Sequence, residues 1–219
     1  MTVVKICGLR SLTEARVAVE SGADLLGFIF WRLGKRYIAP LEAARIISAL
    51  RAEALNWSAV GVFVDPTRAE ADEAAEVCGL DYIQLSGSEP PDAVASMPRP
   101  TLKALHVRAG QEVSAAGAVT TDTFGAGRYL LDTYADSLPG GTGVAFDWAA
   151  LKLVGPRCFI AGGLRPDNVA AALSTLAPYG VDVSSGVEFP NGGKDPRLIR
   201  AFVEAVRSYD QCCNHSNSR

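Results

Sequence analysis

Two side chains that can transfer protons stand at the ends of predicted strands. Asp132 follows the apolar run 129–131, and Cys7 ends the run 3–7. Lys5 lies two residues before the thiol on the same face of the strand, and a nearby cation favours the reactive thiolate. An acid and a thiol in these positions indicate acid–base chemistry, although a lone cysteine is also compatible with a purely structural role.

Small residues follow three of the predicted strands. A glycine-rich turn comes after Asp132, where bare backbone amides can bind an anion beside the acid. Two further turns follow the seventh and eighth predicted strands, and the loops after these strands of an eight-stranded α/β barrel commonly bind phosphate. Tight turns use glycine in any case, so only the pair of loops is informative. The residues expected to contact a substrate here are Gly141, Gly143, Gly162, Gly163, Ser184 and Ser185.

A cationic loop with two aromatic residues, 31–37, follows the second predicted strand. A guanidinium group can bind a planar carboxylate through two hydrogen bonds while ring surfaces pack against the ligand. We predict this role for Arg36, whereas Arg32 and Lys35 are interpreted as solvated cations of the loop.

Two charged residues are predicted inside the strands themselves. Lys5 is expected to be a buried and paired charge that shapes the site. Asp182 lies within the eighth predicted strand, where two interpretations stay open. It is either a buried acid held by backbone or lysine partners, or a contact of the substrate.

The elements that position these residues alternate along the chain. Eight apolar runs predict strands, and amphipathic segments between them predict helices, at roughly 27 residues per unit. The strands are predicted at 3–7, 25–30, 59–64, 82–85, 102–107, 129–131, 158–161 and 181–183. The helices are predicted at 12–21, 41–54, 67–78, 91–96, 113–119, 148–154, 166–176 and 196–209.

This alternation predicts a single-domain α/β protein, a (β/α)8 TIM barrel over residues 1–210, followed by a flexible tail at 211–219. An open, doubly wound parallel sheet would show the same apolar strands. The barrel is favoured because acids, thiols and glycine loops recur after strand ends along the whole chain.

Composition limits the classes of partner. The 219 residues carry 21 basic and 24 acidic side chains, a net charge of −3, which gives no reason to expect nucleic acid or an anionic membrane. The five cysteines and two histidines lack the spacing of a zinc site, so no metal is predicted. The start of the sequence does not resemble a signal peptide, and no apolar run spans a bilayer. A cytoplasmic protein that binds a small polar metabolite is expected.

Seven of the eight units resemble phosphoribosylanthranilate isomerase, an enzyme family of tryptophan biosynthesis. The Lys-Ile-Cys-Gly and Asp-Val-Ser-Ser-Gly-Val-Glu motifs are highly specific, and the match runs from Lys5 to about Phe202. The segments that carry it are 5–9, 27–30 with 35–37, 60–65, 84–87, 131–132 with 140–143 and 146–148, 161–168 and 182–188.

The resemblance implies a role for each matching residue. Cys7 would be the general base, Asp132 the general acid, and Arg36 the group that holds the anthranilate carboxylate. The implied reaction is an Amadori rearrangement of a phosphorylated substrate that needs no cofactor. For the assembly, a monomer and a homodimer both stay open. Ser86 departs from the family, which commonly has histidine there, and this puts a role for the fourth loop in doubt.

Two other functions compete with this one. An aldose–ketose isomerase of histidine biosynthesis uses the same barrel with two carboxylates, and Cys7 in place of an acid argues against it. A non-catalytic barrel that only binds a phosphorylated metabolite would require the pairing of Cys7 with Asp132 to be incidental. Loss of anthranilate-type fluorescence with the purified protein would separate these possibilities.

Overall fold

The computed structural model describes residues 1–53, 55–108, 112–134, 151 and 154–216, and within these ranges eight parallel strands close into a barrel. Each strand pairs with its neighbours in chain order, and the first strand closes the barrel against the eighth. The predicted barrel is therefore confirmed, and the open sheet is wrong. The strands are β1 (Val3–Cys7), β2 (Leu25–Ile29), β3 (Ser58–Phe63), β4 (Tyr82–Leu85), β5 (Thr101–Arg108), β6 (Arg128–Tyr134), β7 (Cys158–Ala161) and β8 (Gly180–Val183).

Helices connect the strands and cover the barrel. Two predicted helix starts carry reciprocal caps, in which Ser11 pairs with Glu14 and Thr67 with Glu70. In each cap the hydroxyl accepts from the backbone three residues on, and the glutamate accepts from the cap backbone. The helices in the described ranges are α1 (Leu12–Glu20), α2 (Pro40–Arg51), α3 (Arg68–Cys78), α4 (Pro91–Ala95), α5 (Glu112–Thr120), α6 (Val169–Leu176) and α7 (Pro196–Ser216).

Several predicted boundaries differ from the structure, and three of them change an interpretation made from the sequence. β6 continues to Tyr134, so Asp132 lies within the strand rather than just beyond it. α6 begins at Val169 rather than at Pro166, which lies in the turn before the helix. α7 reaches Ser216, so the segment predicted as a flexible tail begins as helix. The predicted helix at 148–154 falls largely outside the described residues.

One face of every strand points into the barrel. Side chains from several strands pack against one another in a single cluster, and this cluster fills the barrel interior. Because side chains alternate along a strand, residues two positions further on point inward as well. This places Cys7, His106 and Asp132 inside the barrel at its carboxyl-terminal end. The interior cluster comprises Leu25, Val60, Leu102, Ala104, Leu130, Phe159 and Ala161, with Val3 and Tyr82 packed against it.

The two ends of the described chain are fastened together. The backbone N–H and hydroxyl of Thr2 donate to the Asp210 carboxylate at 2.9 and 2.7 Å. Arg207 donates to the carbonyl of Thr2 at 2.6 Å and to Asp24 at 2.8 Å. The last helix is thus tied to the first strand and to the start of the second.

Candidate active site

The predicted base lies in a charged and fully enclosed part of the barrel. Cys7 is 5% exposed and pairs in register with Gly27, where a Cβ atom would lie 2.8 Å from the Cys7 sulfur. Lys5 is completely buried beneath it, and its ammonium donates to Asp182 at 2.9 Å. The expectation that Lys5 is a buried, paired charge is confirmed. For Asp182 the structure shows a lysine-held acid.

Burial and charge act on this cluster in opposite directions. Burial raises the pKa of the Cys7 thiol, and the Lys5 ammonium opposes this without cancelling it. The expectation that a nearby cation favours the thiolate is confirmed, because Lys5 lowers the pKa of Cys7, but burial has the larger effect and the net pKa is raised. Lys5 itself stays charged. Burial lowers its pKa, but Asp182 and Cys7 together raise that pKa by more.

The predicted acid occupies a more open position. Asp132 lies inside the barrel opposite Ala161 of β7, and its side chain is 34% exposed. The charge of Asp132 also acts on Asp182. Burial is the main cause of the raised pKa of Asp182, and the Asp132 charge raises it further. An enclosed thiol and a more accessible acid thus stand on the inner faces of strands at the same end of the barrel.

Arg36 is held by a glutamate that follows β8. Its guanidinium donates to both oxygens of Glu188, at 2.5 and 2.8 Å, in a two-point contact. Lys194 donates to the same carboxylate at 2.7 Å, and the two cations hold the pKa of Glu188 at about 2 against the effect of burial. Arg36 is half-buried, whereas Arg32 and Lys35 are exposed, as predicted for the solvated members of the loop.

The loops after β7 and β8 pack against each other. A Cβ atom at Gly186 would overlap the carbonyl group of Leu164, so only glycine allows this approach. Ser185 and Gly163 are exposed on these loops, and a 3-10 turn spans Ser185–Val187. The Ser184 hydroxyl donates to the carbonyl of Cys7 at 3.1 Å, which links the eighth loop to the predicted base.

Two of the predicted glycines show the backbone conformation that such loops require. Gly162 and Gly163 have φ angles of +90° and +65°, in the region that favours glycine. The Asn168 side chain donates to the carbonyl of Gly163 at 3.0 Å. Gly141 and Gly143 lie outside the described residues.

Sequence reasoning missed three residues that the structure brings to the site. Glu188 and Lys194 complete the charged group around Arg36. His106 stands beside the predicted acid, with 3.5 Å between its Nδ1 and an Asp132 oxygen. Counting inward positions along β5 would have found His106, because it lies two residues beyond the interior Ala104 and opposite Asp132 in register.

The fold and the site together define a (β/α)8-barrel protein of the kind that carries enzyme sites at the carboxyl-terminal ends of its strands. Comparison with known proteins names the family. The family described as N-(5'-phosphoribosyl)anthranilate isomerase matches residues 4–205. The chain belongs to this family.

Curated relatives and solved structures agree with the family assignment. The Pseudomonas fluorescens (strain SBW25) N-(5'-phosphoribosyl)anthranilate isomerase is 43% identical over 205 residues, which cover 93% of this chain and 95% of that protein. The Geobacter sp. (strain M21) protein of the same name is 45% identical over 210 residues, covering 94% and 98%.

Structures of the Thermotoga maritima phosphoribosylanthranilate isomerase superpose closely. One has a TM-score of 0.84 and 36% identity, covering 95% of this chain and all of that one. A second contains reduced 1-(o-carboxyphenylamino)-1-deoxyribulose 5-phosphate and has a TM-score of 0.81 at 34% identity, with the same coverage. A third, with a TM-score of 0.79 at 34% identity and the same coverage, shows monomers generated from the dimeric Thermotoga enzyme. Within the described ranges of the present chain, none of the helices is long and apolar enough to cross a membrane.

Proposed function

We propose that this protein isomerises N-(5'-phosphoribosyl)anthranilate to 1-(2-carboxyphenylamino)-1-deoxyribulose 5-phosphate in tryptophan biosynthesis, with Cys7 as general base and Asp132 as general acid. The observation that carries the proposal is the placement of an enclosed thiol and a more open carboxyl group on the inner faces of the same end of the barrel. The complex of the Thermotoga relative with a reduced form of the product supports the substrate class.

The proton transfers follow from these two groups. Asp132 gives its proton to the furanose ring oxygen, and the C1–O bond breaks to leave an iminium ion. The iminium acidifies the neighbouring C2–H bond, and the Cys7 thiolate removes that proton. The resulting enolamine takes up a proton at C1 from solvent and loses the C2 hydroxyl proton to solvent to become the ketone, and the Cys7 thiol releases its proton to solvent to restore the thiolate.

The charges around the thiol set the pH dependence of this step. Because burial raises the pKa of Cys7, the thiolate fraction grows as the pH rises toward that raised value. Lys5 opposes the shift, so its ammonium increases the thiolate fraction at any given pH. Activity on the acidic side should therefore increase with pH and depend on Lys5.

Two further parts of the site would bind the ends of the substrate. Arg36 would hold the anthranilate carboxylate while remaining oriented by Glu188. Gly162, Gly163 and Ser185 would surround the phosphate at the paired loops, with Ser184 contributing through its link to the Cys7 backbone.

Asp182 would act through Lys5 rather than by contacting the ligand, because it is buried against that ammonium. Gly141 and Gly143 remain predicted contacts of the substrate.

The test is the loss of anthranilate-type fluorescence when purified protein meets phosphoribosylanthranilate. We expect Cys7→Ala and Asp132→Asn each to reduce turnover by roughly a hundred- to ten-thousandfold, with substrate binding little changed. Cys78→Ala is the matched control. Cys78 is also a buried thiol, but it lies at the end of α3, where it donates to the carbonyl of Pro40. Near-normal turnover in Cys7→Ala would refute the assigned mechanism.

A further inference from the structure

His106 bridges the fourth strand's loop and the proposed acid. Its Nε2 lies 2.9 Å from the backbone carbonyl oxygen of Ser86, and its Nδ1 lies 3.5 Å from an oxygen of Asp132. β5 and β6 pair so that His106 and Asp132 are directly opposite each other, and both point into the barrel. The imidazole is therefore positioned by the backbone on one side and faces the acid on the other.

The Ser86 contact determines which nitrogen carries hydrogen. A carbonyl oxygen can only accept, so Nε2 must carry a hydrogen to make this bond. Nδ1 then has two states. It offers a lone pair to a protonated Asp132 when the imidazole is neutral, and it donates to the Asp132 carboxylate when the imidazole is charged. In either state one proton is shared between Nδ1 and the Asp132 oxygen.

The surrounding charges favour retention of that proton. The hydrogen bond to Asp132 is the largest influence on His106 and raises its pKa, and the Ser86 carbonyl acts in the same direction. Lys103, on the same strand, lowers it, but its ammonium is buried and paired with Glu89 at 2.8 Å. The net pKa of His106 is raised.

Solvent can exchange protons with this pair. The His106 side chain is 50% exposed and lines a cavity of about 440 Å³ with Gly87, Phe124 and Ala118. Asp132 is less exposed, at 34%, and would be covered further by a substrate positioned above it. The imidazole is thus the more accessible of the two groups.

We propose that His106 is a positioning residue that returns a proton to Asp132 in each catalytic cycle. This inference rests on the proposed function, in which Asp132 is the acid. After Asp132 has given its proton to the ring oxygen, the neutral imidazole takes a proton at Nδ1 from hydronium or a buffer acid in the cavity, and that Nδ1–H bond then breaks as the proton joins the Asp132 carboxylate. The Cys7 thiol releases the proton taken from C2 to solvent, so the cycle consumes no proton overall and no other reactant.

The experiment compares pH profiles of turnover for the wild type and two variants. His106→Asn can still donate to Asp132, and His106→Gln can still reach toward the Ser86 carbonyl, but neither side chain titrates. We expect turnover at neutral pH to fall by roughly tenfold or more. The alkaline limb of the profile should move to lower pH, because the imidazole, whose pKa is raised by its contact with Asp132, is no longer there to hold the shared proton.

Added imidazole provides a readout that a structural role would not change. It should restore part of the turnover of His106→Asn and leave the wild type unaffected. In an Asp132→Asn background, the further change His106→Asn should have no additional effect, because His106 acts through the acid. Circular dichroism of each variant identifies any failure to fold, and His106→Gln serves if His106→Asn is misfolded.

The outcomes separate this inference from the proposed function. If Asp132→Asn keeps near-normal turnover, the acid assignment itself is wrong. If Asp132→Asn is inactive while a folded His106 variant has the wild-type pH profile and no response to imidazole, only the inference about His106 is overturned.

Discussion

Replacing Lys5 by methionine tests the buried ion pair on which the interior of the barrel depends. Methionine fills nearly the same volume, so the change removes the charge and leaves the packing largely intact. Lys5 is completely buried and Asp182 is 9% exposed at a distance of 2.9 Å. Removing one member of such a pair leaves an uncompensated charge, and we expect a loss of about 3–5 kcal/mol in the free energy of unfolding.

The pH dependence of this loss has a definite sign. Burial raises the pKa of Asp182, and Lys5 opposes that shift, so the variant should raise it further. An acid with a raised pKa in the folded state destabilises the fold only when the pH is high enough to ionise it. The loss should therefore be largest at neutral to alkaline pH and should shrink as acidification returns a proton to Asp182.

The assay is urea denaturation followed by circular dichroism at several pH values. Arg68→Met is the control, because it removes a cation from an exposed pair with Asp72 and should cost at most about 1 kcal/mol. The double change Lys5→Met with Asp182→Val should recover much of the loss, since no charge then remains buried. If Lys5→Met costs no more than Arg68→Met, the energetic role assigned to the buried pair is refuted.

Three other changes test separate parts of the site. Glu188→Gln should cost about 3 kcal/mol of unfolding free energy at neutral pH, because the folded-state pKa of about 2 lies well below the ordinary 4.5, and the difference from wild type should vanish as the pH falls through this window. A pH-independent difference in urea denaturation would contradict this. Gly186→Ala should lower the melting temperature because its Cβ would meet the neighbouring loop, whereas Gly117→Ala, in open space within α5, should gain up to about 1 kcal/mol; equal shifts would contradict the close packing. Arg36→Ala should raise KM by an amount equivalent to roughly 2 kcal/mol, and Lys35→Ala should leave it nearly unchanged; equal effects would remove Arg36 from the site.

The strands could be predicted closely because each is a short, buried apolar run ended by a turn. β1, β4 and β7 have the predicted limits, and the loops after β7 and β8 come together as their chain positions suggested. Periodicity is a local property, so a pattern of this kind is visible in one sequence.

The partners of the charged residues could not be predicted in the same way. Arg36 and Glu188 are 152 positions apart, and nothing near either residue indicates that they pair. The net rise in the pKa of Cys7 could not be predicted, because it depends on how completely the fold buries the thiol. The sequence shows only the neighbouring Lys5, whose charge lowers that pKa. The length of α7 was missed because residues 211–216 have no apolar periodicity.

The contacts that tie Thr2 to Asp210 have a consequence for how the chain folds during synthesis. They join residues 208 positions apart, so they can form only after Asp210 has left the ribosome. The first strand likewise lacks its partner until the eighth strand, Gly180–Val183, has been synthesised. The first strand must therefore wait, and the barrel can close only after its eighth strand has been made.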